Sequence, residues 1–439
     1  MLFHNATLLV GVSGLAVVHW LVPWQRVRLV LLLSASLVIY GWRHWPSLFM
    51  LLASIAFNYA WGRLLEKRPE RRLLVFGIVT NLSSLFWFKY AGFFWSMLPV
   101  QSAPPPPWLP LGISFFTFQV IAYLVDVYRK EIPAERSLLV FAVFKSLFAQ
   151  LVAGPIVRGR DLLPQLRERR ALDWAQLHSG VLLVLAGLFL KAGVADLLAP
   201  HVDHAWGQGV EVATNVAWFA VYGYAAQLLA DFCGYSTMAV GFGLVFGLTL
   251  PANFVNPYGA SSLREFWQRW HVTLSQWLRD YLYIPLGGNR RRPTFNLVVT
   301  MTLGGLWHGA GWTYVLWGFM HGVLLWLERT LPKLPRGAGV LVTFHVVALL
   351  WVPFRAPDFS ALVTFAKRLV APPYVWATRV DTQFVVVTAL FLLLQSVWFR
   401  AFPLEKREPA RWELAAAAAM FVWLLGAGVG RVDFIYFVF

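Results

Sequence analysis

The stretch GGLWHGAGWTYVLWGFMHG, residues 304–322, sets His308 and His321 in a run of otherwise apolar or small side chains. An ionisable group at membrane depth is costly and faces an interior cavity, a partner or a reaction path. The simpler account is a neutral imidazole that makes one hydrogen bond to a neighbouring helix. Imidazole is also the side chain that accepts a proton near neutral pH, so the first account carries acid-base chemistry. Around His308, Gly304, Gly305, Gly309 and Gly311 let backbone come close to a ligand or to another helix. For His321, thirteen residues on, the packing account is preferred.

A third histidine, His271, lies 37 positions before His308, in SSLREFWQRWHVTLSQWLRDYLYIPLGGNRRR, residues 261–292. On a 3.6-residue period Leu263, Phe266, Trp267, Trp270, Leu274, Trp277 and Tyr281 share one face. Arg264, Gln268, His271, Ser275 and Arg279 share another, which predicts one amphipathic helix lying in the headgroup region. Gly287 and Gly288 end it, and Arg290, Arg291 and Arg292 pin it to the cytoplasmic side. Its simplest role is an interfacial anchor, while a polar stripe carrying His271 also suits the wall of an opening into the protein.

These residues sit in a chain made for lipid. Hydrophobic residues form 59% of its 439 positions and charged residues 13%, against about a quarter in a soluble domain. Apolar runs long enough to cross a hydrocarbon core of about 30 Å recur from end to end, about eleven of them. The fold expected is therefore all-α and polytopic, a single multi-pass domain over residues 1–439. The opening MLFHNATLLVGVSGLAVVHWLV has no basic leader and is expected to be a retained first span. The single cysteine, Cys233, excludes an intrachain disulfide and any multi-cysteine metal site, and no metal is expected. The net charge of +16 gathers at the ends of apolar runs, which is the pattern of membrane orientation and not of a nucleic-acid-binding face.

Basic loops fix the topology. RLLEKRPERR (63–72) marks the cytoplasm, and so do YRKEIPAERS (128–137) and VRGRDLLPQLRERR (157–170). Only one apolar run, 138–156, separates the last two, and one crossing cannot leave both ends inside. That run is predicted to be re-entrant, turning back at AGP (153–155). The proline run SAPPPPW (102–108) reads as a rigid extended connector outside the cytoplasm. Lys89, Asp126, Lys145 and Asp231 lie at or near apolar runs, where snorkelling or ion pairing is the simple account.

NFVNPYGASSLREFWQRWHVTLSQWLRDYLYIPLGGNR and GGLWHGAGWTYVLWGFMHG resemble the hallmark blocks of the membrane-bound O-acyltransferases, in the bacterial branch around alginate and peptidoglycan O-acetyltransferases. LPLGISFFTFQVIAYLVDVYR (109–129), LVAGPIVRGRDLLPQL (151–166), DFCGYSTMAVGFGLVFG (231–247), WVPFRA (351–356) and FIYFVF (434–439) follow the branch in order. The resemblance implies a family core at about 109–330 and puts the family's intramembrane histidine at His308 and its second characteristic histidine at His271. Thr237 stands where the branch usually has an acidic residue and Cys233 where it has serine.

A neutral His308 is suited to take the proton of an attacking hydroxyl, whose own pKa is far above 7. Donors to the oxyanion are expected from Trp307 or Trp312, from Asn289, or from backbone amides of the glycine-rich turn. His271 either orients the donor or acts beside His308. Arg290 and its basic neighbours are placed to attract an anionic donor. The resemblance implies an acetyl donor that is a cytoplasmic thioester, acetyl-CoA or an acyl carrier protein, with no bound cofactor. It further implies a bacterial inner-membrane location, a periplasmic SGNH-type acetyltransferase partner and a polysaccharide acceptor pathway. The competing reading is a transporter or flippase that makes no covalent bond, and a structural scaffold is a weaker third.

Overall fold

The computed structural model describes residues 6–42, 44–97, 108–151, 154–207, 212–370 and 372–426, the last apart from 373, 375, 376, 378, 379 and 406–409. Residues 102–107 of the proline run, Ala153 of the expected turn and the closing 434–439 therefore lie outside the described residues. All regular structure among the described residues is helical. Among the described residues, six helices are long and apolar enough to cross a bilayer: Trp45–Lys67, Arg71–Trp95, Trp174–Gly207, Thr214–Val245, Arg336–Arg355 and Thr382–Ala401. Thr7–Leu21, Ile113–Tyr128 and Trp412–Leu424 are shorter apolar helices. The polytopic, all-α expectation is met, and these nine apolar helices among the described residues do not fix the count of about eleven spans.

The chain folds into two compact units: residues 1–184, 237–251 and 405–410 make one, and 185–236, 252–404 and 411–439 the other. In the first, buried polar groups join helices where lipid offers no competing partner. Asn58 and Asn81 exchange amide hydrogen bonds of 3.0 and 2.9 Å. Lys145, fully buried, donates to the Ser54 hydroxyl and lies 5.2 Å from the centre of the Phe116 ring.

The same unit contains the segment expected to be re-entrant. Ser137 caps the helix Leu138–Ser146, which at nine residues spans about 14 Å, half of a hydrocarbon core. It breaks at Leu147, whose ψ of 115° leaves the helical region. After the turn of Phe148–Leu151 the chain enters a second short helix, Gly159–Arg167. Arg167, at the end of that return, pairs with the buried carboxylate of Glu135, just before the segment begins, at 2.7 Å. Tyr123 also accepts a 3.0 Å hydrogen bond from the Glu135 amide, and a Cβ at Gly159 would lie 3.3 Å from that tyrosine ring. The two ends of the segment, at Glu135 and Arg167, thus lie side by side.

In the second unit the helix Thr214–Val245 contributes its first two-thirds. It is apolar on every side and its most hydrophobic 18 residues are all buried, as a central helix must be. Gly234 lets it touch backbone: a Cβ there would lie 2.7 Å from the Gly187 carbonyl oxygen and 3.0 Å from the Lys191 amide. Where they meet, Lys191 bridges Asp196 at 2.6 Å and Asp231 at 2.8 Å, with all three side chains no more than 2% exposed. Lys191 lies in a π-helical stretch, Phe189–Ala195, whose extra residue per turn shifts the side chains that follow.

Candidate active site

His308 ends the helix Pro293–His308, and the helix Trp312–Glu328 runs back beside it. The two are in backbone contact, since a Cβ at Gly318 would lie 3.0 Å from the Cα and N of Gly305. A larger residue at either glycine would push the helices apart next to the imidazole. At this end Thr313 donates a 3.0 Å hydrogen bond to the Ala356 carbonyl, which brings in the C-terminal end of the helix Arg336–Arg355. His308 is 3% exposed, and its ring is met nearly edge-on by Trp307 at 5.1 Å, Trp317 at 5.2 Å and Phe354 at 5.4 Å.

The fourth ring beside His308 is that of His271, with centroids 6.1 Å apart and Trp307 touching both. This separation is too great for a direct ring-to-ring hydrogen bond of about 2.7–3.2 Å once the ring radii are subtracted. It is close to what one hydroxyl or water oxygen bonded to both nitrogens would need. Phe232 also packs against His271, edge to face at 4.7 Å. Burial pushes the His271 imidazole down, to about 3, so it is neutral at physiological pH.

The route by which His271 reaches this place differs from the single amphipathic helix that periodicity predicts. The segment is two short helices, Leu263–Arg269 and Val272–Leu278, followed by a π turn, Arg279–Tyr283. The apolar face survives the break: Leu263, Phe266, Trp270, Leu274 and Trp277 are buried, while Arg264 and Arg279 are exposed. His271 leaves the polar stripe because it occupies the left-handed region, φ 42° and ψ 53°, and turns inward to 0% exposure. The segment 253–255 holds the break, with Val255 donating to the Arg269 carbonyl and Val272 to the Asn253 carbonyl, both at 2.9 Å.

Three of the other expected site residues stay apart from this pair. Asn289 and Arg290 are exposed before the start of the Pro293–His308 helix, whose sixteen residues put about 24 Å between them and His308. Asn289 accepts a 2.8 Å hydrogen bond from the Tyr283 hydroxyl, and an oxyanion beside His308 is out of its reach. Trp312 is 51% exposed because the buried stripe of its helix is Thr313, Trp317, Gly318 and His321, one position out of phase with it. His321 packs in this stripe and accepts a 3.3 Å hydrogen bond from the Trp267 indole, which suits the packing role. Trp317 and Phe354 were not singled out from sequence. Trp317 lies four residues from both Thr313 and His321, the signal of a shared helix face.

A model of the family described as MBOAT, membrane-bound O-acyltransferase, matches residues 81–349, which include both histidines. The chain belongs to the membrane-bound O-acyltransferase family. A probable alginate O-acetylase, AlgI, of Azotobacter vinelandii is 42% identical over 78% of this chain and 72% of its own length. That of Pseudomonas aeruginosa is 41% identical over 76% of this chain and 68% of its own. A peptidoglycan O-acetyltransferase of Helicobacter pylori is 34% identical over 84% and 79%. The protein is thus a multi-pass membrane O-acyltransferase, and the reading as a transporter without covalent chemistry gives way. Cys233 and Thr237, the two departures from the branch, are each buried to 3% exposure.

Proposed function

We propose that the protein moves an acetyl group from a phosphopantetheine thioester to a hydroxyl, with His308 as the base, and feeds a polysaccharide O-acetylation pathway. The observation that carries this reading is the meeting of His308 and His271 at 6.1 Å inside a box of Trp307, Trp317, Phe232 and Phe354. A neutral imidazole in a site that excludes water can take a proton without competition from solvent. His308 accepts the proton of the acceptor hydroxyl as its oxygen attacks the thioester carbonyl. The new C–O bond forms, the carbonyl becomes an oxyanion, and collapse breaks the C–S bond. The thiolate then leaves with the proton that His308 gained. His271 holds the acceptor hydroxyl on the other side of the gap, and the Trp307 indole is the side-chain donor placed to meet the oxyanion.

Arg290, Arg291 and Arg292 stand at the far end of the His308 helix, where they attract the anionic donor from the cytoplasm of a bacterial cell. Acetyl-CoA and an acyl carrier protein share the phosphopantetheine arm such a cluster would recognise. The acceptor enters from the opposite end, directly as a glycan or through a periplasmic SGNH-type partner that completes the transfer. The alginate O-acetylases among the relatives favour an exopolysaccharide pathway. Full-length protein in nanodiscs, given radiolabelled acetyl thioester and an acceptor, should move label into an ester. His308→Ala should abolish this while the protein remains folded in the membrane. Ester formation at the unaltered rate in that variant would overturn the assignment of the base.

A further inference from the structure

The left-handed backbone of His271 has to be held in place. Among the described residues three other non-glycine residues have positive φ: Lys130, Asn256 and Arg292. Lys130 and Arg292 are exposed, whereas His271 is fully buried between two helices. His271 is also the N-cap of Val272–Leu278, and its side chain makes no capping hydrogen bond. An N-cap is normally Ser, Thr, Asp or Asn, whose oxygen satisfies the amides of the first turn. Here another residue does that work from eighteen positions upstream (271 minus 253). The Asn253 carbonyl accepts from the Val272 amide at 2.9 Å, and its Oδ1 accepts from the Thr273 amide at 3.3 Å and the Thr273 hydroxyl at 2.9 Å. Its Nδ2 donates to the Ser236 hydroxyl at 3.1 Å. Asn253, Thr273 and Ser236 are no more than 4% exposed.

The anchor and the wall of the site come from one turn of one helix. Ser236 lies four residues after Phe232, the ring that packs against His271, so both point from the same face of Thr214–Val245. We infer that Asn253 is a positioning residue that caps the Val272–Leu278 helix in place of His271 and so aims the imidazole at His308. Both amide groups are needed: Oδ1 fixes the turn that follows His271, and Nδ2 ties that turn to the helix bearing Phe232. This rests on the reading of His271 and His308 as the reacting pair.

Thr273 permits a test with little change in packing volume, because valine keeps its shape and serine keeps its hydroxyl. In the acetyl-transfer assay on full-length protein in nanodiscs, Asn253→Ala and Thr273→Val should lower kcat by about 10- to 100-fold, the cost of a reacting group misplaced by about an ångström. KM for the thioester should stay within about two-fold, and Thr273→Ser should restore kcat, which a merely packed threonine would not require. Hydrogen exchange of peptides covering 269–278 should rise in Thr273→Val and not in Thr273→Ser. If Asn253→Ala does not accumulate in the membrane, the Thr273 pair carries the test. Equal loss in Thr273→Val and Thr273→Ser, or unchanged kcat and exchange in Thr273→Val, overturns the inference. Full transfer activity in His271→Ala with raised exchange in Thr273→Val would instead sink the reacting pair and leave the cap standing.

Discussion

Replacing Lys191 by methionine keeps a long unbranched side chain and removes the cation that Asp196 and Asp231 both contact. The oxygens lie 2.6 and 2.8 Å from Nζ, and the side chains are no more than 2% exposed, so water does not screen the result. Breaking a buried ion pair by removing one partner costs about 3–5 kcal/mol, because the remaining charge keeps its desolvation penalty. That is roughly two to nearly four decades in the folded-to-unfolded ratio. Reversible unfolding in mixed micelles, followed by helix content, reads this directly. The variant carrying Lys191→Met with Asp196→Asn and Asp231→Asn should recover most of the loss, since neutral groups in the same space carry no such penalty. If the single variant unfolds like the unaltered protein, or the triple variant is no better than the single one, the cluster is not held by charge and the reasoning fails.

The re-entrant segment can be tested with cysteine labelling, since the native Cys233 is buried. Lys130→Cys and Glu168→Cys, both exposed, should react with a membrane-impermeant thiol reagent from the same face, and labelling from opposite faces would make 138–156 a crossing. The buried neutral His271 predicts acid sensitivity. Its folded pKa of about 3 lies below the unfolded value of about 6.5, so its contribution is complete above pH 6.5 and is lost as pH falls toward 3. His271→Asn should flatten the loss of stability across that window, and an unchanged pH profile of unfolding would remove His271 as its cause.

Much of this was legible because it depends on local composition. Basic residues on both sides of 138–156 predict a turn-back from composition alone, and the Glu135–Arg167 pair, which holds the two ends of the segment together, is consistent with it. The likeness at RWH and LWHG marked His271 and His308, although nothing in a spacing of 37 residues states that the rings meet. What escaped depends on tertiary partners. A helical wheel assumes an unbroken helix, so it put His271 on the polar stripe; the break comes from Asn253 and Val255, outside any window centred on His271. Asn289 and Trp312 looked near the site because they are near in sequence. A 16-residue helix carries the first away, and a 100° step around the next helix turns the second outward.

The division of labour at the start of Val272–Leu278 also bears on how such a site can diverge. A residue that both caps a helix and carries out chemistry is constrained twice, and few side chains satisfy both demands. With the cap supplied by Asn253, position 271 keeps only the demand for a left-handed backbone, which asparagine and aspartate adopt readily. A lineage can therefore exchange imidazole there for an amide or a carboxylate, and so alter its chemistry, while the helix and the hydrogen bonds of Asn253 are inherited unchanged.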